Sequence, residues 1–361
     1  MKIESIETYP VAIPLNKPFK TALRTVTVAE SIYVKVTCDD GTVGWGEAPP
    51  THVITGESLF SIKETIEHIL KPAILGMTLL ERENVFHTLH KATVGNTSAK
   101  AAIDIALHDC FAQKCGLPLF QLLGGSSSSL ETDYTVSVNS PEEMAEDAAE
   151  YIQNGFNVLK IKVGKNDIET DIARIQAIRN EIGSEATIRL DANQGWTAKE
   201  AIYAIRRMEE LFLNVELVEQ PVKAHDIEGL KQVTDNTNTL IMADESIFSP
   251  DDARRVLTTR SADLLNIKLM KAGGIHRAMQ INKLAESFGV ACMVGSMIET
   301  KLGVTAAAHF AASQRNITRV DFDAPLMLSK DLIDGGINYD GRHISFSEGA
   351  GLGIEHVYYE N

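Results

Sequence analysis

Residues 157–183 read NVLKIKVGKNDIETDIARIQAIRNEIG. A short apolar run closes on Gly164, and a stretch with apolar residues three and four apart follows, so the segment reads as one strand and one helix. The unit recurs on both sides. DYTVSV (133–138) precedes PEEMAEDAAEYIQNG, TIRLDAN (187–193) precedes TAKEAIYAIRRMEE, and VELVEQP (215–221) precedes DIEGLKQVTD. LIMADES (240–246), ADLLNIKLM (262–270) and VACMVGSMIET (290–300) each lead into a further helical stretch, and TRVDFDAP (318–325) ends the series. Eight short apolar strands alternating with helices predict an α/β fold built on a parallel barrel, for which about 250 residues is usual. A doubly wound open sheet would carry a glycine-rich first turn, and none of these strand ends reads GxGxxG. Ser140 before Pro141 and Ser249 before Pro250 read as helix N-caps, while Gly155, Gly183 and Gly289 read as stops.

The first 125 residues have another rhythm: three strands with a hairpin signal in CDDGTVGWGE, then helices ending near LFQLLGG. They predict a separate α+β segment. GGSSSS at 124–129 reads as a link rather than a phosphate loop, because no GK[ST] follows. The glycine-rich tail after Pro325 is too short for a domain and is expected to return onto the first segment.

The chain has 361 residues, 44% of them apolar, which is ample for a large core. Its start lacks the basic and apolar blocks of a signal peptide, and no apolar run approaches the roughly 20 residues of a membrane span, so a cytoplasmic protein with no membrane partner is expected. Cys38, Cys110, Cys115 and Cys292 are scattered, as expected of reduced structural thiols. A net charge of −15 without a basic stripe argues against nucleic acid. An acidic protein that binds an anion must do so through a few local cations or a metal.

Residues that carry chemistry in a parallel barrel stand at the carboxyl ends of the strands. Here three consecutive strands end on Asp191, Glu219 and Asp244, the last followed by Glu245. Three carboxylates brought together in low dielectric need a cation. Hard oxygen ligands with no His or Cys beside them point to Mg²⁺. Lys160 and Lys162 share one face of the second strand, and Lys268 ends the sixth, so lysines flank the carboxylates on both sides. A neighbouring cation and desolvation lower a lysine's pKa from about 10.4, and the pairing of Lys160 with Lys162 is expected to leave Lys162 able to take a proton.

KIK at Lys160 and Lys162, Asp191 in LDAN, Glu219 in VEQP, Asp244 in ADES and Lys268 in NIK together resemble the enolase superfamily, specifically its muconate-lactonizing subgroup. The resemblance covers the whole chain. It implies a capping domain at 1–125, a modified barrel of the (β/α)7β type at 126–324, and a C-terminal segment at 325–361 that rejoins the cap. It also implies Mg²⁺ on Asp191, Glu219 and Asp244, proton transfer by Lys162 and Lys268, and Lys160 beside the developing enediolate. The mandelate-racemase branch would place a histidine at the end of the seventh strand, where VGSMIET has none. Within the subgroup the likeness is to dipeptide epimerases of the L-Ala-D/L-Glu kind, and two stretches carry it. In DFDAP, Asp321 and Asp323 resemble the pair that holds the free ammonium of a dipeptide. In PFKTALRTV, Arg24 resembles the arginine that meets the side-chain carboxylate of a C-terminal glutamate. Thr135, Ser296, Met297, Ile298, Phe19 and Ile54 complete the implied substrate contacts, and the stretches around Phe19–Arg24 and Ile54 resemble loops that close over the site. The implied reaction converts L-Ala-L-Glu to L-Ala-D-Glu, in a protein expected to be a homo-oligomer.

N-acylamino acid racemisation, o-succinylbenzoate synthesis and cycloisomerisation use the same lysines and metal, but on substrates without an ammonium group. A noncatalytic binding barrel would have no need of a costly charge cluster. KAGGIH at 271–276 could receive an anion at a helix start. His108, His309 and the other histidines stand at no metal-ligand spacing and read as core or surface residues.

Overall fold

The computed structural model describes residues 1–359. The chain opens with an antiparallel sheet of β1 (Ile3–Lys20), β2 (Thr25–Cys38) and β3 (Val43–Ala48), in that spatial order. One face of this sheet lies on the helix Thr97–Cys115, whose residues are buried on nearly every side because it is held between the sheet and the barrel. Glycine on β3 is what lets the two meet: a Cβ at Gly46 would stand 1.9 Å from the Ala102 carbonyl oxygen. Ile6, Val34, Ile62, Leu70, Phe86 and Ile103 belong to the core of this capping region.

After the short strand β4 (Ser129–Glu131) come β5 (Tyr134–Val136), β6 (Val158–Lys162), β7 (Thr187–Asp191) and β8 (Val215–Glu219). They continue as β9 (Leu240–Ala243), β10 (Leu264–Lys268), β11 (Cys292–Gly295) and β12 (Ile317–Asp321). These eight strands, β5 to β12, pair in parallel in sequence order. The barrel is nearly closed: β5 and β12 share no backbone ladder among the described residues. Side chains bridge them instead, with Thr135 N donating to Asp323 Oδ2 (2.6 Å) and Phe322 N to Thr132 Oγ1 (2.8 Å). Helices follow the first seven strands, while β12 leads only into a 3₁₀ turn, Ala324–Met327, so the pattern is (β/α)7β. Ser140 and Ser249 cap their helices as the sequence predicts, each accepting from the backbone N–H three residues on. An apolar plug of Leu217, Met242, Leu264 and Met293 fills the barrel beneath its mouth.

The tail forms β13 (Ile333–Gly335), β14 (Ile337–Asp340), β15 (His343–Phe346) and β16 (Ile354–Val357). β14 and β15 extend β4, and β13 pairs with β16. Leu352 N donates to Asp109 of the capping helix (2.9 Å), and Leu119 N to the Gly351 carbonyl (2.7 Å), so the tail touches the first segment at these points. Cys38, Cys110 and Cys292 are buried and Cys115 is exposed, all as free thiols. No helix among the described residues is long and apolar enough to cross a membrane.

Candidate active site

Strand alternation and parallel register bring the charged residues to one level. Lys162 lies opposite Asp191 and Asp191 opposite Glu219 in adjacent ladders, while Lys268 is level with Gly295 and Gly295 with Asp321. The charged side chains all turn inward at the carboxyl ends. Lys162 Nζ lies 2.6 Å from Asp191 Oδ2, and Lys268 Nζ 2.7 Å from Asp244 Oδ2. Lys160 Nζ stands between three carboxylates, at 2.7 Å from Asp321, 2.8 Å from Glu219 and 3.5 Å from Asp191. The two sides of this cluster are therefore lysine-bearing, with the carboxylates between.

The electrostatics differ from the simple picture of two crowded lysines. Burial alone would lower Lys160, but Asp321, Glu219 and Asp191 outweigh it and hold the ammonium well above its ordinary value. Burial likewise works against the Lys268 cation and is overcome by Asp244 and Glu219. Among the carboxylates, burial is opposed by Lys268 and Lys271 at Asp244, which lies well below the usual range. Burial and then Asp191 push Glu219 up to about 7. In DFDAP, Asp321 is already paired with Lys160. Burial, followed by Asp321, pushes Asp323 up to about 7, and the Thr135 backbone N–H is its hydrogen-bond donor.

Over the cluster lies a cavity of about 70 Å³, walled by Lys160, Lys162, Lys268, Asp321 and Asp323 from the barrel. Thr135, Ser296, Met297 and Ile298 line it from the ends of β5 and β11, and Phe19, Arg24 and Ile54 close it from the capping region. Asp191, Glu219 and Asp244 lie below this wall and are buried. The Phe19–Arg24 stretch is the tip of the long β1–β2 hairpin, with Thr21–Arg24 a loop between the two strands. Thr21 Oγ1 accepts from Leu23 N and Arg24 N, and the tip is tied to the barrel by Val138 N donating to the Lys20 carbonyl (3.1 Å) and Lys20 Nζ to Asn139 (2.8 Å). The Phe19 ring lies with its centroid 5.7 Å from Lys162 Nζ. Burial lowers the Arg24 guanidinium, and no carboxylate among the described residues offsets it. The cavity lining thus carries both a guanidinium, Arg24, and the carboxylates Asp321 and Asp323. A larger cavity, of about 550 Å³, opens at the other end of the barrel around Phe212 and Leu240, away from these groups.

The family pattern described as mandelate racemase / muconate lactonizing enzyme, N-terminal domain, matches residues 3–124, and that described as enolase C-terminal domain-like matches 143–357. The chain belongs to this enolase-like family. The L-Ala-D/L-Glu epimerase of Bacillus subtilis (strain 168) is 64% identical over 354 residues, which cover 98% of this chain and 97% of that protein. A solved substrate-liganded complex of the L-Ala-D/L-Glu epimerase from Bacillus subtilis superposes with a TM-score of 0.98 over 99% of each chain. The dipeptide epimerase of Enterococcus faecalis V583, complexed with Mg and the dipeptide L-Leu-L-Tyr, is 46% identical with a TM-score of 0.95, covering 99% of this chain and 100% of that one.

Several groups in this enolase-like site escaped the sequence reading. Lys271, three residues past Lys268, is buried with Nζ 2.5 Å from Asp244 Oδ1, a second cation on the same carboxylate. Asn193 lines the cavity and donates to Glu245 (3.3 Å), which the sequence already placed beside Asp244, and Asn266 Nδ2 donates to Glu219 Oε1 (2.7 Å). Their neighbours Asp191, Asp244 and Lys268 were the only signal that could have found them. The helix start in KAGGIH is filled from within: Asp104 of the capping helix accepts from Ile275 N (2.6 Å), so no external anion is needed there. His108 stacks on Phe86 and His309 accepts from Phe120 N, both as core residues.

The donor set suits a hard divalent cation. Glu245 Oε2 and Asn193 Oδ1 are buried oxygens with no hydrogen-bond partner among the described residues, while Glu219 Oε2 and Asp244 Oδ1 are held by ion pairs to Lys160 and Lys271. In formal charge the buried carboxylates Asp191, Glu219, Asp244, Glu245, Asp321 and Asp323 exceed the ammonium groups of Lys160, Lys162, Lys268 and Lys271 by two. Lysines lean between the carboxylates, and no three acidic, histidine or cysteine side chains among the described residues converge on one point.

Proposed function

We infer that the protein is a dipeptide epimerase, an isomerase that inverts the α-carbon of the C-terminal residue and acts on L-Ala-L-Glu. The observation that carries the assignment is one cavity lined by lysines from opposite sides of the barrel, by the carboxylates Asp321 and Asp323, and by a guanidinium, Arg24, with no ion-pair partner among the described residues. The likeness to epimerases over nearly the whole chain supports the same reading.

Asp191, Glu219 and Asp244 would hold Mg²⁺, which when bound supplies electrophilic stabilisation of the substrate α-carboxylate as negative charge develops on it. Lys162 and Lys268 stand on opposite sides of the site. One removes the α-proton and the other returns a proton to the opposite face, each step worth about 10²–10⁴-fold. Lys160, kept cationic by its carboxylates, donates to the enediolate oxygen and so stabilises the charge that forms there. Asp323 and Asp321 receive the substrate ammonium, and Arg24 pairs bidentately with the glutamate side chain. The hairpin tip with Phe19 and the segment with Ile54 exclude water and set the side chain that fits.

Incubation with L-Ala-L-Glu and Mg²⁺ in heavy water tests this directly. The expected result is one deuterium at the glutamate α-carbon together with L-Ala-D-Glu, seen by NMR and chiral chromatography. Turnover of N-acetylated but not free dipeptides would replace the assignment with an N-acylamino acid racemase.

A further inference from the structure

The cavity has two walls, Ile54 from the capping region and Ser296–Ile298 from the barrel. Residues 296–300 belong to no helix or strand, so something other than a backbone ladder must hold the second wall. Glu299 holds it from below, accepting from Met297 N at 2.8 Å. From above it is held by the capping region. Glu47 on β3 is fully buried and accepts from Thr300 N (2.9 Å), Thr300 Oγ1 (2.7 Å) and Gly303 N (2.8 Å). A residue of one region thus satisfies the first orphan N–H groups of a helix, Lys301–Ser313, in the other. Tyr33 OH, from β2, extends the chain by donating to Thr300 Oγ1 at 2.8 Å. The fit is close: a Cβ at Gly303 would stand 2.4 Å from Glu299 Oε2 and 3.1 Å from Glu47 Oε2.

We propose that Glu47 is a positioning residue of the active site, fixing Ser296–Ile298 against the cap so that the two walls stand at the spacing the C-terminal side chain requires. It touches neither the lysines nor the strand-end carboxylates. Thr51, where the cap's own wall begins, lies only a short stretch beyond Glu47 in the chain. Loss of this contact loosens the substrate's side-chain pocket and leaves proton transfer in place.

The inference rests on the dipeptide reading, so wild-type turnover of L-Ala-L-Glu is measured alongside; its absence would remove that reading, whereas the variants of Glu47 and Thr300 test the positioning role alone. Glu47→Ala is expected to raise KM for L-Ala-L-Glu about tenfold with kcat changed by less than about threefold. It should also narrow the preference for glutamate over a neutral C-terminal residue. Glu47→Gln keeps a carbonyl acceptor and should recover most of the loss, and Thr300→Val should raise KM non-additively with it. If Glu47→Ala does not fold, the Gln and Val variants carry the test. Unchanged KM and selectivity in folded variants, with only the melting temperature lowered, would overturn the proposal, as would a fall in kcat at constant KM.

Discussion

The barrel holds ion clusters at both ends, and they are built differently. At the amino ends, Arg189 lies 2.9 Å from Asp133 and 2.7 Å from Glu216, and Arg319 lies 2.7 Å from the other oxygen of Glu216. Rigid guanidinium forks meet carboxylates in equal number there, with Asp133 Oδ1 the oxygen left without a donor. At the carboxyl ends, compact ammonium groups are outnumbered by carboxylates, and Glu245 Oε2 and Asn193 Oδ1 are buried without a partner among the described residues. Leaving buried acceptors unsatisfied costs about 1–3 kcal/mol apiece. A fold accepts that cost where a ligand removes it. Arginine cannot surrender a proton, whereas lysine can, so of the two clusters only the upper one has cations suited to proton transfer.

The largest effect should come from removing the excess charge at the upper end. Asp191→Asn, Glu219→Gln and Asp244→Asn should each lower turnover by about 10²-fold to 10³-fold or more, with far-UV circular dichroism unchanged. α-Proton exchange should fall as far, since both half-reactions need the charge on the substrate stabilised. Chelator-treated wild type should lose activity and regain it with Mg²⁺. Full activity after chelation would erase the contrast between the two ends.

Next in size are the two lysines. Lys162→Ala and Lys268→Ala should each stop epimerisation, yet each keeps one base. In heavy water each variant should still exchange the α-proton of one epimer with retention, and the two variants should choose opposite epimers. Exchange of the same epimer by both would show that the lysines do not face opposite sides.

Much of this site was legible before any fold was known, because strand period and βα rhythm place residue 191, 219 or 244 at a strand end whatever surrounds it. Three features were not. Lys271 follows Lys268 on a helical turn rather than the strand, so no alternation rule points it at Asp244. The length of the hairpin that carries the Thr21–Arg24 loop is hidden because Pro10, Pro14 and Pro18 interrupt the alternation of β1, whose register with β2 breaks between Pro14 and Phe19. Asp104 at the Ile275 helix start and Glu47 at the Lys301 helix start come from the capping region, and a partner hundreds of residues away leaves no local signal.

A smaller, selective effect is expected at the lid. Arg24→Met should lower kcat/KM for L-Ala-L-Glu by about 30-fold or more, the equivalent of about 2 kcal/mol for a lost buried charge partner. A dipeptide ending in a neutral apolar residue should lose far less, because the lysines and carboxylates are untouched. Equal losses for both substrates would place Arg24 among the residues that merely hold the hairpin down.

The smallest effect on the reaction should come from the lower cluster, where Glu216→Gln tests stability instead. Burial alone would raise the Glu216 carboxyl, but Arg189 and then Arg319 outweigh it and hold the group below its ordinary value of 4.5. A depressed folded pKa means that the unfolded chain binds the proton more readily. The stabilisation is therefore present above about pH 4.5 and is lost as pH falls through the lower, folded value. Glu216→Gln should be less stable at pH 7 by about 1–3 kcal/mol, the worth of hydrogen bonds to a charged group. That deficit should shrink as the solution is acidified, since protonation does to the wild type what the substitution has already done. Urea unfolding between pH 3 and 7 measures both curves, and kcat/KM at pH 7 should match wild type within about twofold, because the site lies at the far end of the strands. A deficit that stays constant with pH would show that Glu216 contributes by packing, and a fall in kcat/KM as large as that of Arg24→Met would show that the two ends of the barrel are not independent.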